Sequence, residues 1–149
     1  MVWAGFCATG KLKIAFTSFK MNSKDYISIL EGHLLPFLRK YRRKKFTFQQ
    51  DNAAIHTSKE TKQWIRDQKL DLLDWPARSP DLNPVENLWG ILVRRIYAEG
   101  KQYATVDELK SAITTEWDKI EKSVLLNLVN SMPNRIFQVI NRNGKATDY

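Results

Sequence analysis

Apolar and polar residues alternate at the start of the chain, and then the period changes. In "MVWAGFCATGKLKIAFTSF", Leu12, Ile14 and Phe16 alternate with Lys11, Lys13 and Ala15, which predicts two short strands turning at Thr9-Gly10. From Asn22 the spacing becomes helical, with Tyr26, Ile27, Leu30, Leu34, Phe37, Leu38 and Tyr41 on one face. Asn22 caps this helix with Asp25 in its first turn, and Gly32 and Pro36 predict a kink. "FTFQQ" (Phe46 to Gln50) reads as a strand, and Thr57 and Glu60 stand in capping-box spacing ahead of "TKQWIRDQ". "LDLLDW" (Leu70 to Trp75) reads as a second strand, and "PARSPDLNP", with three prolines in nine residues, as an extended, turn-rich loop. A helix starts near Val85 and runs through "ENLWGILVRRIY". Thr105 and Glu108 make another capping box, and "VLLNLVNSMPNRIFQVI" is helical on both sides of Pro133. Early strands, late helices and one strand–helix–strand unit indicate an α/β fold, with no repeat, low-complexity tract or linker to divide it.

The middle of the chain constrains where its carboxylates go. A strand, a helix and a strand in succession make a right-handed crossover between parallel strands. A helix of about eleven residues spans ~16 Å, close to a five-residue strand, so it returns the chain to the starting edge. Asp51 then lies at the carboxyl end of the first strand, Asp74 and Trp75 at the end of the second, and Glu86 in the first turn of the next helix. Open α/β sheets place ligands at that edge. Converging carboxylates repel unless a cation lies between them, and a few hard oxygen ligands suit Mg²⁺ or Mn²⁺ in phosphate chemistry. Plainer readings stand beside this one: Asp51 as a turn residue and Glu86 as a complement to a helix N-terminus. Asp74 and Asp81 compete as ligands.

Composition adds a partner class. A chain of 149 residues with 43% hydrophobic content supports one domain with a core. Its 24 basic and 16 acidic residues give +8, and a pI near 9.6 favours a polyanion. The run "RKYRRKK" (Arg39 to Lys45) reads first as a solvated helix end favoured by the macrodipole, with a DNA contact as the alternative. Cys7 is the only cysteine, which excludes an internal disulfide and cysteine zinc sites and suits a reducing compartment. No apolar run approaches the ~20 residues of a membrane span, and the N-terminus lacks signal-peptide features. The expectation is a soluble, intracellular protein.

Three phrases narrow the reading. "QQDNAAIHTS", "LDWPARSPDLNPVENLWG" and "SMPNRIFQVINRNG" resemble, in that order, the catalytic domain of mariner-superfamily DDE transposases. The resemblance covers nearly the whole chain. It implies an RNase H-like fold, a mixed sheet flanked by helices, that cleaves and transfers DNA strands with two Mg²⁺ (or Mn²⁺) ions held by three acidic residues. Glu86 follows Asp51 by 35 positions, leaving 34 between them, which matches the transposon-type spacing. The resemblance therefore makes Asp51 and Glu86 the second and third acidic members, each a metal ligand. Asn52 and His56 match the same words. His56 is expected either to donate to a phosphate or to orient a metal ligand, with a structural hydrogen bond at a helix start as the plainer reading. Arg78 is the loop residue expected at a phosphate. Trp75, Pro76, Ser79, Pro80 and Pro84 are expected to fix the loop that delivers Glu86, and Trp89 and Val93 to lie in the core. DNA is the implied partner, as transposon ends and as target. A homodimer stays open, and a nuclear location follows from the activity.

The resemblance also implies parts that precede this sequence. The family's first acidic residue lies on a strand before the "MVWAGF" hairpin, with a helix-turn-helix region further upstream, and here no acidic residue precedes Asp25. That strand is central in the family fold, between the hairpin and "FTFQQ". Each buried, unsatisfied backbone group costs about 1–3 kcal/mol, against a typical domain stability of about 5–15 kcal/mol. The expectation is thus a partial catalytic domain over residues 1–149, with a compromised sheet, an incomplete triad and no metal-dependent nicking of DNA. A decayed element copy, a truncated gene model and a repurposed fragment all fit it. Two other functions compete: a non-catalytic DNA-binding or interaction remnant, and a related RNase H-like nuclease without transposition.

Overall fold

In the N-terminal ribbon, the alternating pattern yields two separate ladders in the computed structural model, which describes residues 1–149. β1 (Val2–Trp3) pairs antiparallel with β4 (Ala15–Phe16), and β2 (Phe6–Cys7) pairs antiparallel with β3 (Gly10–Lys11). Cys7 faces Gly10, so the turn is Ala8-Thr9, one residue earlier than expected. The predicted inward set also fails. Leu12 and Ala15 are buried, Ile14 is half-buried and Phe16 is exposed, because the ladder stops between Lys11 and Ala15 and the parity of the strand is lost there. The chain divides into two units at this ribbon and again after Arg78: Met1–Trp3 with Ala15–Arg78, and Ala4–Ile14 with Ser79–Tyr149.

In the first unit, Asn22 forms the expected capping box. Its side chain accepts from the Lys24 and Asp25 amides, and the Asp25 carboxylate accepts from the Asn22 amide. The helix is α1 (Ser23–Ile29), then a π-helical turn (Leu30–Leu34), then α2 (Leu35–Lys40). The expected kink is thus a π-turn, with the Leu35 amide donating five residues back to Leu30. Pro36 has no amide proton to give Gly32, and the wider turn accommodates its ring. β5 (Thr47–Phe48) and β6 (Asp71–Leu72) pair in parallel, as the strand–helix–strand reading requires. Both are shorter than predicted. Each has one neighbour, and no strand joins them to the β1–β4 ladder, so all six strands form three two-stranded ladders. The crossover carries α3 (Ala54–Thr57) and α4 (Lys59–Asp67). Ser58, not Thr57, caps α4: the Ser58 hydroxyl accepts from the Thr61 amide, while the Thr57 hydroxyl donates back to Ala53. Tyr26, Leu30, Leu34, Thr61 and Ile65 are the buried side chains of these helices.

The second unit is built on α5 (Pro84–Ile96), α6 (Val106–Asp118), α7 (Lys122–Asn130) and α8 (Met132–Asn141). Leu88, Leu92 and Ile96 recur every four residues on α5 and form the core with Trp117, Ile120 and Leu125. Trp89 packs half-buried against this cluster and stacks on Trp117, at 5.8 Å between ring centroids. Val93 is 53% exposed, contrary to expectation, because it follows Leu92 by one position and so turns about 100° away from the core. The Trp117 indole donates to the Leu12 carbonyl at 2.9 Å, and Lys11 Nζ donates to the carbonyls of Trp117, Asp118 and Ile120. The β2–β3 hairpin thereby caps the C-terminus of α6 with a cation, where the helix dipole favours one. No helix is long and apolar enough to cross a membrane.

Candidate active site

Asp51 lies three residues beyond β5, where the chain turns toward α3. Its side chain is 59% exposed, and Oδ1 accepts from the Ala53 amide at 3.0 Å. His56, on α3, donates Nδ1–H to the same oxygen at 2.6 Å. A carboxylate can only accept, so this contact fixes the His56 tautomer. The imidazole is held from behind by Tyr26, whose ring lies 4.2 Å away between centroids. The Tyr26 hydroxyl donates to Gln50 Oε1 at 2.7 Å, and Gln50 Nε2 donates to the His56 carbonyl at 3.3 Å. Asn52 donates Nδ2–H to the Trp75 carbonyl at 2.8 Å and so ties the turn after β5 to the loop after β6. Asp51, Asn52 and His56 are therefore brought together within the first unit. Arg78 closes that unit, exposed and in the left-handed region at φ 56°, a backbone conformation uncommon for a residue with a Cβ.

Glu86 belongs to the second unit and is exposed in the first turn of α5. The loop before it forms a 3₁₀ turn (Pro80–Leu82), and Pro84 opens the helix, where its missing amide proton costs nothing. Asp74 is exposed, but Asp81 is already engaged. Its carboxylate accepts from the Thr147 amide at 2.7 Å, and this backbone bond holds its carboxyl below the usual aspartate range. No three His, Cys, Asp or Glu side chains cluster closely enough to hold a metal ion.

Two supporting groups escaped the sequence reading. Tyr26 registers there only as an apolar helix position, although its hydroxyl organises the Asp51 turn. Arg135 sits in the quoted phrase "SMPNRIFQVINRNG" but carries no signal of burial, and it is fully buried.

The chain is similar to known proteins along its whole length. The sequence profile of the DDE superfamily endonuclease family matches residues 1–110, a span that contains both Asp51 and Glu86. The Tc3 transposase of a Caenorhabditis elegans transposable element is 52% identical over all 149 residues, which make up 45% of that protein. The Tcb2 transposase of Caenorhabditis briggsae is 37% identical over the same residues, 54% of its length. The chain thus spans about half the length of the curated relatives it matches. Among solved structures, the Mos1 mariner transposase catalytic domain superposes with a TM-score of 0.86 over 99% of this chain and 75% of its own, at 17% identity. A Mos1 paired-end complex with the left transposon end gives 0.85 over 97% of this chain and 44% of its own, at 18% identity. The fold is accordingly the RNase H-like one of a mariner catalytic domain, and the chain belongs to the DDE superfamily endonuclease family.

Proposed function

We propose that this chain serves as the catalytic domain of a DNA transposase, which cuts and joins DNA strands with divalent cations held by Asp51 and Glu86. The observation that carries the reading is membership of the endonuclease family over a span containing both carboxylates. The donor set suits Mg²⁺ or Mn²⁺. Asp51 spends one carboxylate oxygen on Ala53 and His56 and keeps Oδ2 for a ligand, and Glu86 is exposed. Such ions hold only one or two carboxylates and complete their shell with water and phosphate. When bound, they supply Lewis-acid activation of the attacking oxygen and offset the charge of the phosphate. His56 keeps Asp51 in one orientation, Asn52 ties its turn to the neighbouring loop, and Arg78 contacts a DNA phosphate. The net charge of +8 supports DNA as partner, as do the Mos1 complexes with transposon ends among the fold's neighbours. Transposon ends and target as the specific DNAs, a homodimeric assembly and a nuclear location are parts of the same proposal.

A second reading, DNA binding without cleavage, is favoured by one observation. The net charge of +8 suits a polyanionic partner whether or not a metal ion is held. Mn²⁺ binding followed by electron paramagnetic resonance, together with a supercoiled-plasmid nicking assay, separates the two. The first reading expects bound Mn²⁺ that is lost in Asp51→Asn and in Glu86→Gln. Mn²⁺-dependent nicking that disappears in Asp51→Ala supports the first reading directly. DNA binding with no Mn²⁺ binding would leave only the second reading.

A further inference from the structure

α8 is inside out: its charged residue faces in and its large apolar residues face out. Ile136, Phe137 and Ile140 are exposed, whereas Arg135 has no solvent-accessible surface. A buried guanidinium carries a high desolvation cost, offset only if its donors are satisfied. Here they are well supplied. Nε donates to Ser131 Oγ at 2.9 Å, Nη1 to the Asp81 carbonyl at 2.6 Å, and Nη2 to Asn87 Oδ1 at 2.9 Å. The Tyr149 ring covers the group, 4.2 Å from its central carbon.

Two of these acceptors bracket the candidate ligand. Asp81 lies in the 3₁₀ turn before α5, Asn87 lies in the first turn of α5, and Glu86 is between them in sequence and adjacent to Asn87. The Asp81 carboxylate is itself held by the Thr147 amide, and Asn134 donates to the Tyr149 hydroxyl at 2.7 Å. One planar, rigid donor therefore joins the loop, the helix start and the last three residues of the chain. A lysine, a point charge on a flexible stem, could not satisfy the Ser131, Asp81 and Asn87 acceptors in that geometry.

We propose that Arg135 is the positioning residue for Glu86: by gripping Asp81 and Asn87 it fixes the first turn of α5 in the orientation a metal ligand requires. The proposal rests on the reading of Glu86 as a metal ligand, and its test has an arm that does not. On the ¹⁵N-labelled 149-residue chain, amide exchange is followed by NMR in Arg135→Lys and in the milder Asn87→Ala, which removes one acceptor and leaves the arginine in place. The amides of Leu82, Asn83 and Glu86 bond to Ser79, Pro80 and Asn83 within the gripped segment. They are expected to exchange about tenfold faster in both variants, with Leu92 and Ile96 unchanged. Mn²⁺ added to the wild type is expected to broaden amides around both Asp51 and Glu86, and in the variants to do so only at about tenfold higher Mn²⁺ concentration.

Unchanged exchange at Leu82–Glu86 overturns the proposal. So does acceleration spread evenly over the whole unit, which would make Arg135 a general stabiliser. Localised acceleration with undiminished broadening at Glu86 overturns the positioning role while leaving the grip. A wild type with no broadening at Glu86 sinks the metal reading of the site, and the exchange arm then decides the grip by itself.

Discussion

Tyr26 supports the Asp51 turn from inside the first unit, through a hydroxyl bond to Gln50 and a ring face against His56. Burial pushes its hydroxyl well above the usual 10.0; the charge of Asp51 adds to this, and a side-chain hydrogen bond with Trp3 opposes it. The fold therefore favours the neutral phenol. Its contribution is fully present below pH 10 and is lost as pH rises from there through the raised folded-state value. Tyr26→Phe is expected to cost about 1 kcal/mol at neutral pH, since Gln50 loses a donor. It should also flatten the alkaline loss of stability in urea melts. An alkaline limb identical to the wild type's would assign that loss to other groups. Helical periodicity places Tyr26 on a buried face but is blind to what its oxygen meets. The same blindness hides Arg135, because a pattern of apolar positions has no place for a charge that is buried once its partners have folded around it.

Helix starts separate what local sequence encodes from what it leaves to context. Asn22 is legible because its partners lie within three residues, and the Asn22–Asp25 box forms as written. Thr105 likewise caps α6 through the Glu108 amide, although the Glu108 carboxylate reaches the Ala104 amide rather than that of Thr105. At Thr57 and Ser58 two competent caps are adjacent, and the choice depends on where α3 ends. That end is set by the extended backbone at Ser58 (φ −58°, ψ 153°), which breaks the helix there and frees the Ser58 side chain to face the new turn. Ser58→Ala is accordingly expected to cost about 1 kcal/mol in urea denaturation, and Thr57→Ala only a small fraction of that. The reverse order would restore Thr57 as the cap. The π-turn at Leu30–Leu34 was half-legible: Gly32 and Pro36 announce an interruption but not whether the helix bends or widens.

At the scale of the molecule, the parallel crossover was legible and the sheet's extent was not. "FTFQQ" and "LDLLDW" run parallel as expected, but pairing stops after two residues because a strand's length depends on neighbours that its own residues do not specify. The site was legible to the same degree: Asp51, Asn52 and His56 assemble locally, while Glu86 belongs to the other unit, where distant residues hold its turn. Charge is the property of the whole chain that bears most directly on its partner. Arg39, Lys40, Arg42, Arg43 and Lys45 are exposed and take part in no ion pair, so "RKYRRKK" concentrates much of the +8 in seven residues. Phe37, Tyr41 and Phe46 pack together beneath it, with centroids 4.9 to 6.5 Å apart, and hold the run as a defined surface rather than a loose tail. If this surface meets phosphates, duplex affinity should fall steeply with salt. The combined Arg42→Gln, Arg43→Gln and Lys45→Gln variant should then reduce the slope of log K against log salt by about 0.9 for each phosphate contact removed. The same three substitutions leave the aromatic cluster and the Asp51 turn intact, so thermal stability should hold. A slope unchanged by the variant would return the run to a solvated helix end and move the DNA contacts elsewhere.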